Sequence, residues 1–266
     1  MNLGFIGAGN MAGALIRGVV AGGVLRADDV HVFDVNAELT SRMASELRVV
    51  AHESCAAMIE ASDMVVLAVK PNVVAQVLAE QKQALRGKAL ISIAAGWTCA
   101  MLRAALEEST RVLRAMPNTP ALVGQGMTAF SRAHALTDRE RAFAERMFES
   151  LGRLTWVRED QMEAVVGVSG SGPAYAYLFL EALADAGVYL GLARDQALAM
   201  AAQTLKGAAE MALVTGQHPG ALKDAVCSPG GTTIAAVKAL EDNGLRAAVI
   251  GAAVAAAEKA SQMSRA

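Results

Sequence analysis

A glycine motif near the start of the chain constrains its fold most strongly. Gly7-Ala8-Gly9-Asn10-Met11-Ala12 follows the apolar run Leu3–Ile6 directly and opens an amphipathic stretch that continues to Val20. In a G-x-G-x-x-A motif between a strand and a helix, the first glycine allows a tight turn and the second lets backbone N–H groups approach a pyrophosphate. The last small residue lets the helix pack closely on the strand. This context predicts a dinucleotide site, with a plain glycine turn as the alternative.

An acidic residue follows at the distance this fingerprint requires. A second predicted strand, Val30–Phe33, ends at Asp34, roughly 20 residues beyond the motif. A carboxylate there hydrogen-bonds the adenosine ribose hydroxyls and repels a 2′-phosphate, so Asp34 favours NADH over NADPH. Asn36 and Arg42 lie nearby, and an arginine could partly accommodate a phosphate. The structural alternative for Asp34 is a helix N-cap.

The rest of the chain divides into two patterns. Up to residue 157, short apolar runs alternate with amphipathic stretches, as in a parallel sheet covered by helices on both faces. The predicted strands are Leu3–Ile6, Val30–Phe33, 64–69, 89–93, 112–115 and 127–130. Beyond residue 159, alanine- and leucine-rich helical runs are broken at Gly187 and Gly191, at 216–220 and at 228–231. We expect an α/β Rossmann domain with a doubly wound, mostly parallel sheet over residues 1–160, followed by an all-α domain over residues 161–266.

Composition excludes several classes of protein. Hydrophobic residues make up 54% and aromatic residues only 4%, so the apolar content is aliphatic and favours closely packed helices. A formal net charge of −2 with scattered charges indicates no nucleic-acid partner. Three separated cysteines without a CxxC pair predict neither a metal site nor disulfides. The N-terminal residues do not resemble a signal peptide, and the apolar run 247–257 is too short to span a membrane, so we expect a cytoplasmic protein.

Two segments lie where predicted strands end, which is the edge of an open α/β sheet that binds ligands. They are Ala68-Val69-Lys70-Pro71 and Ile93-Ala94-Ala95-Gly96. Their small residues leave room for a ribose and a nicotinamide. For Lys70, an ordinary surface lysine is the alternative.

Two glycine-rich segments precede predicted helices in the C-terminal part. Ser169-Gly170-Ser171-Gly172-Pro173 places backbone donors and hydroxyls at a positive helix end, where a substrate carboxylate could bind near Ser171 and Gly172. Ser228-Pro229-Gly230-Gly231-Thr232-Thr233 repeats this arrangement. The alternative is two ordinary capped helices.

With these residues in view, the chain resembles the pyrroline-5-carboxylate reductase family over essentially its full length. The resemblance is carried by the glycine motif, by the two glycine-rich segments, by Ala68-Val69-Lys70-Pro71 and by Arg114-Ala115-Met116-Pro117-Asn118-Thr119-Pro120. It implies that a cyclic imine is reduced to L-proline with NADPH or NADH. It also implies a helical domain that interleaves with that of a second copy, and dimers that assemble into a decamer of five dimers.

The resemblance also implies roles for individual residues. Cofactor contacts fall on Ile6, Gly7, Ala8, Gly9, Asn10, Met11, Asp34, Ala68, Val69, Lys70, Pro71, Ile93, Ala94 and Ala95. Substrate contacts fall on Glu159, Gly231, Thr232 and Thr233, with the Thr233 hydroxyl as donor to the ring nitrogen. Two positions depart from the family pattern: Asp34 replaces a common serine or threonine, and Ala225 replaces a common asparagine.

The expected chemistry is hydride transfer to a C=N carbon, for which binding geometry supplies most of the catalysis. The ring nitrogen gains electron density, so either the Thr233 hydroxyl or an already protonated imine would stabilise the product. The four histidines, His31, His52, His134 and His218, are interpreted as structural or surface residues. Two rival functions remain open: a β-hydroxyacid dehydrogenase, although Lys206 and Lys223 lie in no matching motif, and a non-catalytic NAD(P)-sensing scaffold.

Overall fold

The structure is a computed structural model that describes residues 1–264. Its contacts group the chain into two compact units. The nucleotide unit comprises Met1–Ser171 together with the C-terminal segment that begins at Ala255, and the helical unit comprises Gly172–Val254. The domain boundary at residue 160 stays a prediction.

The nucleotide unit is built on one eight-stranded sheet with the strand order β3-β2-β1-β4-β5-β6-β7-β8. The strands are β1 Leu3–Ile6, β2 Val30–Phe33, β3 Val50–Ala51, β4 Met64–Leu67, β5 Ala89–Ser92, β6 Arg111–Met116, β7 Gly126–Ser131 and β8 Gly152–Val157. All neighbouring strands are parallel except β6 and β7. The α/β fold class expected from the sequence is confirmed.

Helices cover both faces of this sheet. They are α1 Asn10–Ala21, α2 Ala37–Leu47, α3 Cys55–Glu60, α4 Val74–Gln81, α5 Cys99–Ala105, α6 Asp138–Glu149 and α7 Met162–Val165. Short 3-10 turns span Ala27–Asp29, Pro71–Val73, Thr119–Val123 and Glu159–Gln161, and a π-helical turn spans Val166–Gly170. Apolar side chains of α1, α2 and α6 form the core on one face, and those of α3, α4 and α5 form the core on the other. Each fully buried Leu, Ile or Phe stabilises this arrangement by about 1.5–3 kcal/mol.

The sequence located six strands and missed two. The strand expected at 64–69 ends at Leu67, the one at 89–93 ends at Ser92, and those at 112–115 and 127–130 are longer than expected. β3 was missed because it is only two residues long and pairs only with β2. β8 was missed because it is an edge strand whose side chains are only partly buried, so it lacks a continuous apolar run.

The helical unit consists of α8 Gly172–Tyr189, α9 Arg194–Thr215, α10 Pro219–Ala225, α11 Thr232–Asp242 and the first part of α12 Leu245–Met263. Helices α8 and α9 pack through small residues, with Ala184, Ala197 and Ala201 buried between them. Gly187 does not break α8 as the sequence suggested. A β-carbon at Gly187 would lie 2.9 Å from the Ala197 Cβ, so the glycine allows the two helices to approach closely. None of the helices within residues 1–264 is long and apolar enough to cross a membrane.

Candidate active site

The first turn of the glycine motif has a backbone shape that requires glycine. Gly7 has a positive φ of 103°, and its N–H donates to the Phe33 carbonyl at 2.8 Å. A β-carbon at Gly7 would lie 2.6 Å from the Ala68 carbonyl oxygen. Any side chain would therefore both strain the backbone and push β1 away from the segment that follows β4.

Gly9 leaves the start of α1 open. It is the N-cap of α1 and it is exposed. Apart from Gly9 and its two chain neighbours, no atom of the described residues lies within 4 Å of where its β-carbon would be. No side chain from residues 1–264 caps the helix, so its first N–H groups keep their hydrogen-bonding capacity. Asn10 is exposed, Met11 is half-buried, and Ile6 and Ala8 are buried beneath them. The arrangement fits a pyrophosphate, which the positive helix end attracts.

Asp34 braces this turn instead of capping a helix. Its Oδ2 accepts a hydrogen bond from the Ala8 N–H at 2.7 Å, and its Oδ1 accepts one from the Asn36 N–H at 2.9 Å. Helix α2 is capped by Asn36, whose side chain accepts from the Glu38 N–H. The N-cap alternative for Asp34 is therefore wrong, and the carboxylate is fixed at the end of β2 with lone pairs left for ribose hydroxyls.

A cleft of about 240 Å³ opens beside Asp34 and Gly7. One wall is apolar and comes from Val69, Val73 and Val77. The sequence did not single out Val73, which ends the 3-10 turn before α4, or Val77 in the first part of α4. Cys55 and Glu80 also line the cleft, and burial, followed by the charge of Glu80, raises the pKa of the Cys55 thiol to about 12. A narrow apolar cleft of this kind suits a flat base.

The two strand-end segments lie against each other. The Trp97 indole N–H donates to the Pro71 carbonyl at 3.1 Å, which joins the segment after β5 to the segment after β4. Val69, Pro71, Ile93 and Ala95 are half-buried, and Ala94 is buried. Lys70 is exposed. Since β1, β2, β4 and β5 are parallel neighbours, the predicted cofactor residues share one edge of the sheet.

Glu159 is part of a partly buried ionic cluster around Arg114 that the sequence did not predict. Its Oε1 accepts hydrogen bonds from the Arg114 guanidinium at 3.1 Å and from the Cys99 N–H at 2.9 Å. Arg114 also donates to Glu163 at 3.1 Å. Burial favours a higher pKa for Glu159, but the nearby Ser131 hydroxyl, the Cys99 N–H and the Arg114 charge together hold it below its ordinary value. The Glu159 Oε2 atom is buried and has no hydrogen-bond partner within residues 1–264.

The first glycine-rich segment is helical and not an open loop. The π-helical turn Val166–Gly170 leads directly into α8, and the Ser171 N–H already donates to the Val166 carbonyl. The Asn118 side chain fixes this turn by donating to the Ser169 carbonyl at 3.0 Å and accepting from the Met127 N–H. Ser171 is the last residue of the nucleotide unit and Gly172 the first of the helical unit.

The second segment keeps the open arrangement. Gly231 is the N-cap of α11, and among the described residues no side chain caps this helix. A β-carbon at Gly231 would lie 2.3 Å from the Ser228 Oγ, so a side chain here would require the Ser228 hydroxyl to move. Thr232 is exposed and Thr233 half-buried in the first turn of α11. These residues belong to the helical unit, whereas the predicted cofactor residues belong to the nucleotide unit.

The four histidines lie in structural settings. His31 and His52 share a hydrogen bond of 3.0 Å, the His134 ring lies 5.0 Å from that of Trp156, and His218 caps α10 by accepting from the Gly220 N–H. Residues 1–264 contain no group of three side chains suited to hold a metal ion. The open start of α1 and the fixed Asp34 carboxylate support dinucleotide binding at the sheet edge.

Comparisons with known proteins agree with this geometry. Residues 159–263 match the family model described as pyrroline-5-carboxylate reductase dimerisation, and residues 2–96 match the model described as NADP oxidoreductase coenzyme F420-dependent. The pyrroline-5-carboxylate reductases of Escherichia coli and Arabidopsis thaliana are 42% and 43% identical to this chain. The alignments cover 99% of this chain in both cases, and 98% and 95% of the respective relatives. The solved structure of Plasmodium falciparum pyrroline carboxylate reductase with NADP bound has a TM-score of 0.91 at 32% identity, covering 99% of this chain and 98% of that chain.

Proposed function

The chain belongs to the pyrroline-5-carboxylate reductase family, and on that basis we propose that it reduces the C=N bond of 1-pyrroline-5-carboxylate with NAD(P)H to give L-proline, the last step of proline biosynthesis. The observation that carries the proposal is the similarity to reductases of that name along 99% of the chain. The open helix start at Gly9 and the fixed Asp34 carboxylate supply the nucleotide site that such a reaction needs.

The nucleotide unit would bind and orient the cofactor. The first N–H groups of α1 would hold the pyrophosphate. The Asp34 carboxylate would accept hydrogen bonds from the ribose hydroxyls, and the valine-lined cleft would hold the adenine. The segments 68–71 and 93–95 would line the nicotinamide half. When bound, the reduced nicotinamide supplies a hydride.

The helical unit would bind and polarise the imine. The uncapped start of α11 at Gly231 and Thr232 would hold the substrate carboxylate. The Ser171 N–H already donates to the Val166 carbonyl, so Ser171, beside Gly172, would contact the substrate through its hydroxyl. The Thr233 hydroxyl would donate a hydrogen bond to the ring nitrogen as that atom gains electron density. Glu159 is proposed to lie near the substrate.

Asp34 favours NADH over NADPH. Its carboxylate is held at the end of β2 by two backbone N–H groups and cannot easily turn away from a 2′-phosphate. Glu80 adds a second negative charge to the cleft, and within residues 1–264 no lysine or arginine lines it. Arg42, which the sequence offered as a partner for a phosphate, is not among the residues that line the cleft.

We propose that the protein works as a homo-oligomer in the cytoplasm. The match to a dimerisation model over residues 159–263 supports a dimer, and the apolar side chains that the helical unit leaves exposed support an interleaved one. Assembly of five dimers into a decamer is the further step that the family resemblance suggests.

The function is tested by mixing purified protein with 1-pyrroline-5-carboxylate and following the loss of reduced-nicotinamide absorbance with NADH and with NADPH. We expect turnover with both cofactors and a higher kcat/KM with NADH. Release of L-proline, identified by mass spectrometry, confirms the product. Binding of NADH without any turnover of the imine would instead favour a scaffold or a different substrate.

A further inference from the structure

The last part of helix α12, from Ala255, belongs to the nucleotide unit and packs on the loop 93–98 of the same unit. Gly96 in this loop has a positive φ of 78°, and a β-carbon there would lie 3.0 Å from the Met263 Cβ. The backbone of the loop is therefore in close contact with the last turn of α12. The Ser264 hydroxyl, one residue further, lies 3.3 Å from the Glu163 Oε1 and 3.1 Å from the Ala260 carbonyl oxygen, so its one hydrogen can be donated to either acceptor.

A single buried guanidinium connects that contact to the far end of the loop. The Arg114 side chain is only 3% exposed and donates to both Glu163 and Glu159 at 3.1 Å. Glu159 in turn accepts from the N–H of Cys99, the residue that begins α5 immediately after the loop. We name the set Met263, Ser264, Glu163, Arg114 and Glu159 the C-terminal clamp.

The middle of the loop held by the clamp carries only short side chains. Its residues 94–96 are two alanines and a glycine, which offer few side-chain contacts. Besides the clamp, the hydrogen bond from Trp97 to the Pro71 carbonyl ties the loop to the segment 68–71. The Ile93 N–H donates to the Leu67 carbonyl at 3.2 Å, and the Ala94 N–H donates to the Ser92 Oγ at 3.3 Å. The position of the loop therefore sets the spacing between the two segments that flank the proposed nicotinamide site.

We propose that the C-terminal clamp holds the loop 93–98 in the conformation that binds the nicotinamide half of the cofactor, with Met263 and Ser264 as positioning residues. The inference rests on the proposed function, since residues 93–95 are cofactor contacts only within it. A loop that is ordered before binding does not lose conformational entropy when the cofactor arrives. Without the clamp that cost is incurred on binding, and cofactor affinity falls.

The test uses the full-length double variant Met263→Gly/Ser264→Ala and measures two quantities in the absence of substrate. One is the Kd for NADH and NADPH from nucleotide fluorescence, and the other is hydrogen exchange in the peptide covering 93–99 of the cofactor-free protein. We expect Kd to rise about fivefold, which corresponds to ordering roughly one loop residue, and exchange in this peptide to become faster. The KM for the imine, measured at saturating cofactor, should stay within about twofold.

A matched control carries the same number of glycine and alanine changes in the same turn. In Ser261→Ala/Gln262→Gly, Gln262 is exposed and neither residue is part of the clamp, so Kd and exchange should match those of the wild type. The conservative pair Met263→Leu/Ser264→Thr should retain wild-type affinity. Glu163→Gln, which keeps the shape and removes the charge, gives a second route to the same rise in Kd should the double variant not fold.

The outcomes separate the two proposals. A wild-type protein that binds neither NADH nor NADPH overturns the proposed function. A wild-type protein that binds and turns over, together with a folded double variant of unchanged Kd and unchanged exchange in 93–99, overturns the clamp alone.

Discussion

At the scale of single residues, the proposed chemistry depends on Thr233 and Asp34. Thr233 lies in the first turn of a helix that Gly231 begins without a capping side chain. Asp34 is fixed by two backbone N–H groups, so its charge has a defined position. We therefore expect a substitution of Thr233 to change kcat and a substitution of Asp34 to change the cofactor preference.

Replacing Thr233 with alanine removes the proposed donor to the ring nitrogen. We expect kcat to fall about tenfold or more, the loss of one hydrogen bond to a developing charge, with little change in the KM for NADH. Thr233→Ser keeps the hydroxyl and should retain most of the activity. Wild-type kinetics in the alanine variant would remove Thr233 from the mechanism.

Replacing Asp34 with serine removes the charge that opposes a 2′-phosphate. Like charges about 4 Å apart near a protein surface repel by up to about 4 kcal/mol, and screening reduces this value. We therefore expect the ratio of kcat/KM for NADPH to that for NADH to rise roughly tenfold or more. The variant also loses the hydrogen bonds to Ala8 and Asn36, so its melting temperature should be close to that of the wild type for the comparison to hold. An unchanged ratio of the two kcat/KM values would show that groups other than Asp34 decide the cofactor preference.

At the scale of elements, the edge strand β3 creates a contact between two histidines that local sequence patterns do not predict. β3 places His52 beside β2, where its Nε2 lies 3.0 Å from the Nδ1 of His31. The His31 Nε2 is buried and has no partner within residues 1–264. Burial lowers the pKa of His31 below its ordinary value of 6.5, and the neighbouring His52 lowers it further, against a smaller opposing effect of Asp29.

This histidine makes stability depend on pH near neutrality. Because the folded chain binds a proton at His31 less readily than the unfolded chain, the stabilisation is complete above about pH 6.5 and is lost as the pH falls below it. We expect the urea midpoint of the wild type to be lower at about pH 5.5 than at about pH 7.5. His31→Gln should show a smaller difference between the two pH values. An equal difference in both proteins would place the titrating group elsewhere.

At the scale of the whole molecule, the helical unit buries too little of its apolar surface to be complete as one copy. Only three of its residues belong to a buried cluster, whereas Tyr189 is 90%, Leu190 80% and Ile250 64% exposed. The run 247–257 carries the exposed apolar side chains of Val249, Ile250 and Val254. Exposed apolar patches of this extent mark an interface between proteins.

We expect sedimentation velocity at micromolar concentration to show a dimer or a larger species of this protein. Ile250→Glu places a charge at the proposed interface, where burying it costs several kcal/mol, and should shift the protein toward monomer. Gln262→Glu adds the same charge at an exposed position of α12 and should not. A fully active wild-type monomer at this concentration would contradict the proposed dimer.

Much of the molecule follows from local pattern. The family resemblance, the fold class and the NAD(P)H-dependent oxidoreductase class inferred from the sequence are confirmed. The glycine motif identifies the turn at Gly7. Only glycine combines a positive φ with the absence of a β-carbon, and both are needed for the chain to pass this close to Ala68. The central strands are recognisable because both of their faces are buried and their residues are therefore continuously apolar.

Contacts between distant residues were decided only by the tertiary structure. The brace from Asp34 to Ala8, the ionic cluster around Arg114 and the contact of Met263 with Gly96 join residues that are far apart in the chain. A single sequence records which side chains are present and how they are spaced along one element. It does not record which side chains meet when elements pack, and that packing decides which charges are paired and which loop is held.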